Sequence, residues 1–267
     1  MAEISLLGVP HDDNSSFLKG PAEAPPAIRR ELHSDAYSIW SETGVDLSDR
    51  FIDCGDVDFA SAADPWDAIT EAAGRAMDQG QPLIVLGGDH AITHPVMRAV
   101  RRRHARLTIL HFDAHPDIYD AYQGNPRSHA SPFARIMEER LTDRLIQVGL
   151  RALNEHHRAQ FKRFGVETIE MGRCNGPLDL KLTTPVYISL DLDGLDPAHA
   201  PGVSHREPGG LMPRQVIDWI HGIEKPIIGA DIVEYNPRCD VAGMTATVAA
   251  KLVKEIAGMM VRTQASR

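Results

Sequence analysis

The chain has 267 residues, of which 43% are hydrophobic and 24% charged, and its formal net charge is −9. This length and composition fit one large α/β domain, so we predict a single domain over residues 1–267. The negative charge argues against a dedicated nucleic-acid-binding protein, and no apolar run approaches the length of a membrane span.

The cysteines and the first residues indicate the compartment. Cys54, Cys174 and Cys239 are scattered and lack CxxC spacing, which is typical of reduced thiols in a cytosolic protein. Residues 1–4 (MAEI) have no basic region and run directly into a strand, so we predict no signal peptide. Together these features predict a cytoplasmic protein.

Apolar, β-branched runs alternate along the chain with helix-like segments. The predicted strands are residues 3–9, 50–54, 83–86, 108–113, 145–150, 166–170, 185–193 and 226–233. The predicted helices are residues 27–32, 64–79, 92–103, 132–140, 155–164, 213–221 and 246–260. This alternation predicts a three-layer α/β/α fold with a doubly wound, mostly parallel sheet.

Four of the predicted strands end in acidic residues or histidines. These residues are His90, Asp113, His115, Asp117, Asp191, Asp193 and Glu234. In an open parallel sheet, ligands collect at the carboxyl ends of the strands. Carboxylates and imidazoles at that edge need a partner if they are buried, and a divalent metal ion is the natural one. The pattern therefore predicts a metal site.

Several motifs resemble those of the ureohydrolase family, which includes the arginases and agmatinases. They are GGDH at 87–90, DAHPD at 113–117, SLDLDGLDP at 189–197, GVPHD at 8–12, SH at 128–129 and EYNP at 234–237. The motifs follow the order of the family and span nearly the whole chain. The resemblance implies an arginase-like fold and a hydrolase that cleaves C–N bonds of linear amidines.

The resemblance also implies two Mn²⁺ ions per subunit. One ion would be held by His90, Asp113, Asp117 and Asp191, and the other by Asp113, His115, Asp191 and Asp193. Asp113 and Asp191 would therefore bridge the ions. Carboxylate and imidazole ligands favour manganese over metals that prefer thiolates. A metal-bridging hydroxide would attack the guanidino carbon and release urea and an amine.

Four positions are predicted to act on the substrate. His129 is a candidate proton shuttle or general acid, although a solvated turn residue is the alternative. Glu234 would pair with the N–H groups of the guanidinium. Arg127 could bind a substrate carboxylate or could face solvent, and Asn154 is a candidate substrate contact.

Other residues are predicted to support the site. His94 and His111 are expected to be buried, hydrogen-bonded structural histidines. Residues 120–127 form a predicted loop long enough to cover the site. Residues 196–210 form a long connection of the kind that is usually functional.

The sequence leaves the substrate open. Arginases of the family follow their GLR motif with an acidic residue, whereas here GLR at 149–151 precedes Ala152. We therefore predict a small linear guanidino substrate resembling agmatine, with a guanidinobutyrase-like guanidino-acid hydrolase next. Arginase, formiminoglutamase and a non-catalytic metal-binding or regulatory homologue are the alternatives. The resemblance further implies a homo-oligomer, either a trimer or a hexamer.

Overall fold

The computed structural model describes residues 3–60 and 62–265, and within them eight parallel strands form one sheet. The strands are β1 (Ile4–Gly8), β2 (Phe51–Asp56), β3 (Leu83–Leu86), β4 (Thr108–Phe112), β5 (Arg144–Leu150), β6 (Glu167–Glu170), β7 (Val186–Asp191) and β8 (Ile227–Val233). Their order across the sheet is β2-β1-β3-β8-β7-β4-β5-β6. The prediction about a signal peptide depends on residues 1–4, and residues 1 and 2 lie outside the described residues. The single domain over residues 1–267 stays a prediction.

Helices cover both faces of the sheet. They are α1 (Ala24–Leu32), α2 (Pro65–Ala76), α3 (Thr93–Arg103), α4 (Pro132–Glu138), α5 (Glu155–Phe164), α6 (Pro213–His221) and α7 (Met244–Ala265). Apolar residues of α1, α6 and α7 pack on one face, and those of α2, α3 and α4 pack on the other. The predicted three-layer α/β/α fold with a doubly wound parallel sheet is therefore confirmed.

Local sequence explains where several helices begin. The Asp64 carboxylate accepts a hydrogen bond from the Trp66 amide and caps α2, with Pro65 in the first turn. Helix α1 begins at residue 24, three residues before the predicted start, because Pro25 and Pro26 lie in its first turn. A proline there loses no hydrogen bond, since the first amides of a helix have no partner within it.

The cysteines are free thiols: Cys54 is exposed, Cys239 is partly buried and Cys174 is buried. Among the helices of residues 3–60 and 62–265, none combines the length and apolar character needed to cross a bilayer.

Candidate metal centre and its cavity

The four strands that precede the predicted ligands are neighbours in the sheet, in the order β3-β8-β7-β4. Because all four run parallel, their carboxyl ends meet at one edge. His90 follows β3 in a short 3₁₀ turn. Position 88, just before this turn, has to be a glycine because the backbone of His11 passes close to it. A Cβ at Gly88 would lie 1.8 Å from the carbonyl oxygen of His11.

In a first group of four residues, three carboxylates surround the Nδ1 atom of His90. This atom lies 3.3 Å from Oδ2 of Asp113, 3.0 Å from Oδ2 of Asp117 and 3.2 Å from Oδ2 of Asp191. All four residues are buried. Asp117 has a φ of 45°, a left-handed conformation that is unusual for a side chain other than glycine and that concentrates at functional sites.

A second group lies next to the first and shares Asp113 with it. The Nδ1 atom of His115 lies 3.5 Å from Oδ1 of Asp113 and 3.1 Å from Oδ2 of Asp193. The two oxygens of Asp113 therefore face different groups, as a bridging ligand requires. Asp191 differs, because it belongs to the first group and not to the second. Its predicted bridging role stays a prediction.

The chemistry of these groups fits divalent cations. Nδ1 of His90 is buried and has no hydrogen-bond partner, so an unpaired nitrogen faces three carboxylates. Burial and the charges of Asp193 and Asp113 raise the pKa of Asp191. Burial, opposed by His115 and reinforced by Asp113, raises the pKa of Asp193 to about 7. Cations bound between these carboxylates would relieve their repulsion, and oxygen and imidazole donors suit Mn²⁺.

A cavity of about 400 Å³ opens onto the two groups. Besides four of the ligand candidates, its lining includes Ser16, Tyr119, Tyr122, His129, Arg151, Asn154, His157, His205, Glu207 and Glu234. The predicted residues His129, Glu234 and Asn154 are therefore at the cavity.

His129 and Glu234 form a buried pair at the cavity wall. Nδ1 of His129 lies 2.8 Å from Oε1 of Glu234, and the same oxygen accepts the His90 amide at 2.9 Å. Burial alone would lower the pKa of His129, but the carboxylate of Glu234 raises it to about 9. The other nitrogen, Nε2, lies 2.7 Å from the Ser16 hydroxyl and accepts the Ser16 amide at 3.2 Å.

Arg127 is not among the cavity residues that the structure describes. Its guanidinium donates two hydrogen bonds, of 3.0 and 2.9 Å, to the carboxylate of Asp64 and lies over the ring of Trp66 at 4.8 Å. The bidentate carboxylate and the aromatic face satisfy this cation away from the site. The Arg127 side chain is 47% exposed, so it faces solvent in part, and its role as a substrate contact stays a prediction that these contacts do not support.

Asn154 lines the cavity, but its side chain is also used for structure. Its Oδ1 caps α5 by accepting the His157 amide at 3.0 Å, and its Nδ2 donates to the Tyr119 hydroxyl at 2.6 Å. These hydrogen bonds hold the Asn154 side chain at the cavity wall, where a bound substrate could contact it. Its role as a substrate contact stays a prediction.

Several cavity residues were not predicted from the sequence, and they include Ser16, Tyr119, His205 and Glu207. His205 and Glu207 belong to the 196–210 connection, whose length was the available signal. Glu207 comes within 3.8 Å of Nε2 of His115. Its place beside the metal groups depends on how this loop folds back over them.

A parallel α/β sheet that gathers two carboxylate–histidine groups beside a buried histidine–glutamate pair is characteristic of a metal-dependent hydrolase. More specifically, the chain belongs to the Arginase family, whose model matches residues 2–258. The predicted ureohydrolase resemblance is thereby confirmed, and with it a hydrolase that acts on guanidino C–N bonds. Enzymes of this family depend on a pair of metal ions.

The similar proteins include arginases and an enzyme named for an agmatine derivative. The chain is 49% identical over 276 residues to "Arginase 1, mitochondrial" of Arabidopsis thaliana, covering 96% of this chain and 80% of that protein. It is 36% identical over 259 residues to N(1)-aminopropylagmatine ureohydrolase of Thermus thermophilus, covering 88% and 83%. The solved structure of arginase from Medicago truncatula superposes with a TM-score of 0.91 at 44% identity, covering 97% and 87%.

Proposed function

We propose that this protein hydrolyses the guanidino group of L-arginine to urea and ornithine, with two Mn²⁺ ions held by the groups around His90 and His115. The convergence of both groups on one cavity carries the proposal of a two-metal amidine hydrolase. The sequence alone favoured agmatine. Arginine replaces it because the arginase of Arabidopsis thaliana is 49% identical, against 36% for the aminopropylagmatine enzyme.

The chain's own residues define how the site would work. Bound to these groups, Mn²⁺ would supply a Lewis acid that activates water and polarises the guanidino carbon. His90, Asp113, Asp117 and Asp191 would hold one ion, and Asp113, His115 and Asp193 would hold the other. Because these carboxylates are buried, their charges are screened less than they would be in bulk water.

His129 would supply the proton that the departing amine needs. The Glu234 carboxylate raises the pKa of His129 to about 9 against the effect of burial, so the ring is protonated on both nitrogens and positively charged at neutral pH. When water oxygen bonds to the guanidino carbon and the carbon–nitrogen bond breaks, the proton passes to the leaving nitrogen. The Ser16 hydroxyl can accept from Nε2 of the charged ring, and the Ser16 amide can donate to the neutral ring.

The charge of the cavity favours a substrate with a cationic tail. The Arg151 guanidinium donates to the carbonyl oxygens of Asp193, Gly194 and Glu207, which leaves it poorly placed to bind a carboxylate. Glu207 places a carboxylate at the same wall. An ammonium group, present in arginine and in agmatine, could pair with it. This observation keeps agmatine as the second candidate and disfavours guanidino acids that have only a carboxylate tail.

A substrate panel tests the proposal. Purified protein loaded with Mn²⁺ would be assayed for urea with L-arginine, agmatine, N1-aminopropylagmatine and 4-guanidinobutanoate, and for formamide with formiminoglutamate. We expect the highest kcat/KM for L-arginine. A higher value for agmatine would select the second candidate, and formamide release would select the formiminoglutamase alternative. Bound metal without turnover on any compound would indicate a non-catalytic homologue.

Assembly and compartment remain proposals. Enzymes of this family are commonly oligomeric, and we propose a trimer or hexamer for this chain, which sedimentation analysis would test. Several of its relatives have names that place them in mitochondria, so the predicted cytoplasmic location needs fractionation of the source cells.

A further inference from the structure

A row of buried polar residues crosses the sheet just below the metal groups. Gln147 on β5 pairs in register with His111 on β4, His111 with Ser189 on β7, and Ser189 with Asp231 on β8. All four side chains have 0% exposure. We call these four residues the polar row. Because burying a polar group is costly unless it is hydrogen-bonded, their bonding partners indicate what they do.

One half of the polar row leads to Asp113. Nε2 of Gln147 donates to the carbonyl oxygen of Pro116 at 2.7 Å, and this contact fixes the amide orientation because a carbonyl only accepts. The same nitrogen lies 3.0 Å from Nδ1 of His111, which must therefore accept. The proton of the neutral ring is then on Nε2, which donates to Oδ2 of Asp113 at 2.8 Å.

The other half leads to His90. The Asp231 carboxylate accepts the hydroxyls of Tyr187, Ser189 and Thr93 at 2.8, 2.7 and 3.0 Å. Since the Ser189 proton is committed to Asp231, the Ser189 oxygen accepts from Nε2 of His90 at 3.0 Å. This bond on Nε2 orients the ring so that Nδ1 of His90 faces the three carboxylates of the first group.

We propose that the polar row positions the metal ligands before any ion binds. Its hydrogen bonds hold an N–H at Nε2 of both His90 and His111, so that Nδ1 of His90 is aimed at the carboxylates of the first group and His111 holds Asp113 without being a ligand itself. His111 lies close enough to His90 and Asp113 to be mistaken for a third ligand, but both of its nitrogens are used. This inference rests on the proposed two-metal function.

Paired variants separate positioning from general packing. The full-length chain would be stripped of metal and titrated with Mn²⁺ as wild type, Gln147→Met and Ser189→Ala. We expect Mn²⁺ affinity to fall roughly ten- to hundredfold in each variant, as is typical when the partner of a ligand is removed. The matched controls are Gln160→Met and Ser5→Ala, because both residues are buried and donate to backbone carbonyls. We expect the controls to bind Mn²⁺ like wild type.

A spectroscopic measurement tests the same inference without a substitution. Long-range ¹H–¹⁵N spectra of the metal-stripped, full-length wild type with labelled histidine report which ring nitrogen carries the proton. We expect Nε2–H at both His90 and His111. An Nε2 without a proton in either residue, or wild-type Mn²⁺ affinity in both folded row variants, would overturn the proposal. If wild type itself binds no Mn²⁺, the proposed function fails, and the presence or absence of the two Nε2 protons alone tests the polar row.

Discussion

Oε1 of Glu234 accepts hydrogen bonds from Nδ1 of His129 at 2.8 Å and from the amide of His90 at 2.9 Å. One carboxylate oxygen therefore joins the proposed proton donor to the turn that carries a metal ligand. This use of Oε1 leaves Oε2 for the guanidinium contact predicted from the sequence. Glu234 also has a φ of 61°, so its backbone adopts a rare conformation to place this carboxylate.

Replacing His129 by asparagine should lower kcat while the metal content stays at wild-type level. Loss of a positioned acid costs about a hundredfold or more, and His129 is not in either ligand group. Steady-state kinetics and metal analysis on the same preparation check both parts. His199→Asn, at an exposed position, is the control and should behave as wild type. Unchanged turnover in His129→Asn would remove this residue from the mechanism.

Replacing Glu234 by glutamine should make His129 lose its proton at lower pH. The carboxylate raises the pKa of His129 above its ordinary value against burial, so a neutral amide should lower that pKa. If turnover needs the protonated ring, the alkaline limb of kcat should move down by about one pH unit or more. The pH profile of the Mn²⁺-loaded variant measures this. A lower kcat with an unshifted limb would mean that Glu234 acts on the substrate alone.

The ligand groups predict different metal losses for different aspartates. Asp113 belongs to both groups, so Asp113→Asn should weaken both ions, whereas Asp117→Asn should weaken one. Asp191→Asn tests whether this residue bridges: loss of a single ion would place it in the first group alone. Metal content and the electron paramagnetic resonance signal of coupled manganese give the answer. Equal, minor effects of Asp113→Asn and Asp117→Asn would contradict the shared position of Asp113.

Replacing Arg127 by methionine should leave catalysis intact. Its guanidinium is engaged by Asp64 and Trp66, and a partly exposed ion pair contributes at most about 1 kcal/mol of stability. We expect kcat/KM for L-arginine to stay within about twofold of wild type, with a small drop in unfolding temperature. A large rise in KM for arginine would instead restore the sequence-based role of Arg127.

His94 should make the protein less stable in acid. The Trp66 indole donates to Nδ1 of His94 at 3.2 Å, and burial lowers the pKa of His94 to about 4 despite Glu139. The pKa of this ring is 6.5 in the unfolded chain and about 4 in the folded protein, so above pH 6.5 the ring is neutral in both states. As the pH falls from 6.5 towards 4, the unfolded chain binds a proton that the folded protein does not, and the folded protein loses stability. The loss is on the order of 3 kcal/mol.

Urea unfolding of the metal-stripped chain at neutral and acidic pH measures this contribution. His94→Gln should show a smaller pH dependence of the unfolding free energy than wild type. The control is His33→Gln, which replaces an exposed histidine and should keep the wild-type dependence. An identical pH dependence in His94→Gln and wild type would show that His94 does not contribute to acid sensitivity.

Local pattern was enough to predict the elements of this fold. Strand β3 and helices α5 and α6 begin and end at the predicted residues, because apolar periodicity and capping residues act within a few positions. The metal-ligand candidates could also be predicted from the sequence, since each follows an apolar run and parallel strands end at the same edge of a sheet. Asp113 and Asp191 are the plainest cases.

Other relationships depended on packing between distant parts of the chain. Arg127 pairs with Asp64, which lies 63 residues away, and nothing near Arg127 in the sequence indicates that partner. Glu207 reaches the cavity because its loop folds back. Asn154 caps α5 and also donates a hydrogen bond to the Tyr119 hydroxyl, a contact that no sequence motif predicts.

The sequence by itself determined which residue types arrive at the strand ends, because side-chain alternation and chain direction follow from local conformation. Only the tertiary structure decided which of them meet, because the strand order β3-β8-β7-β4 is not the order of the chain. Gln147 lies between apolar residues of β5 and Asp231 between apolar residues of β8, and in the sequence they are indistinguishable from incidental polar residues. Register across the sheet aligns them, and hydrogen bonds short enough to fix a proton form only at that distance.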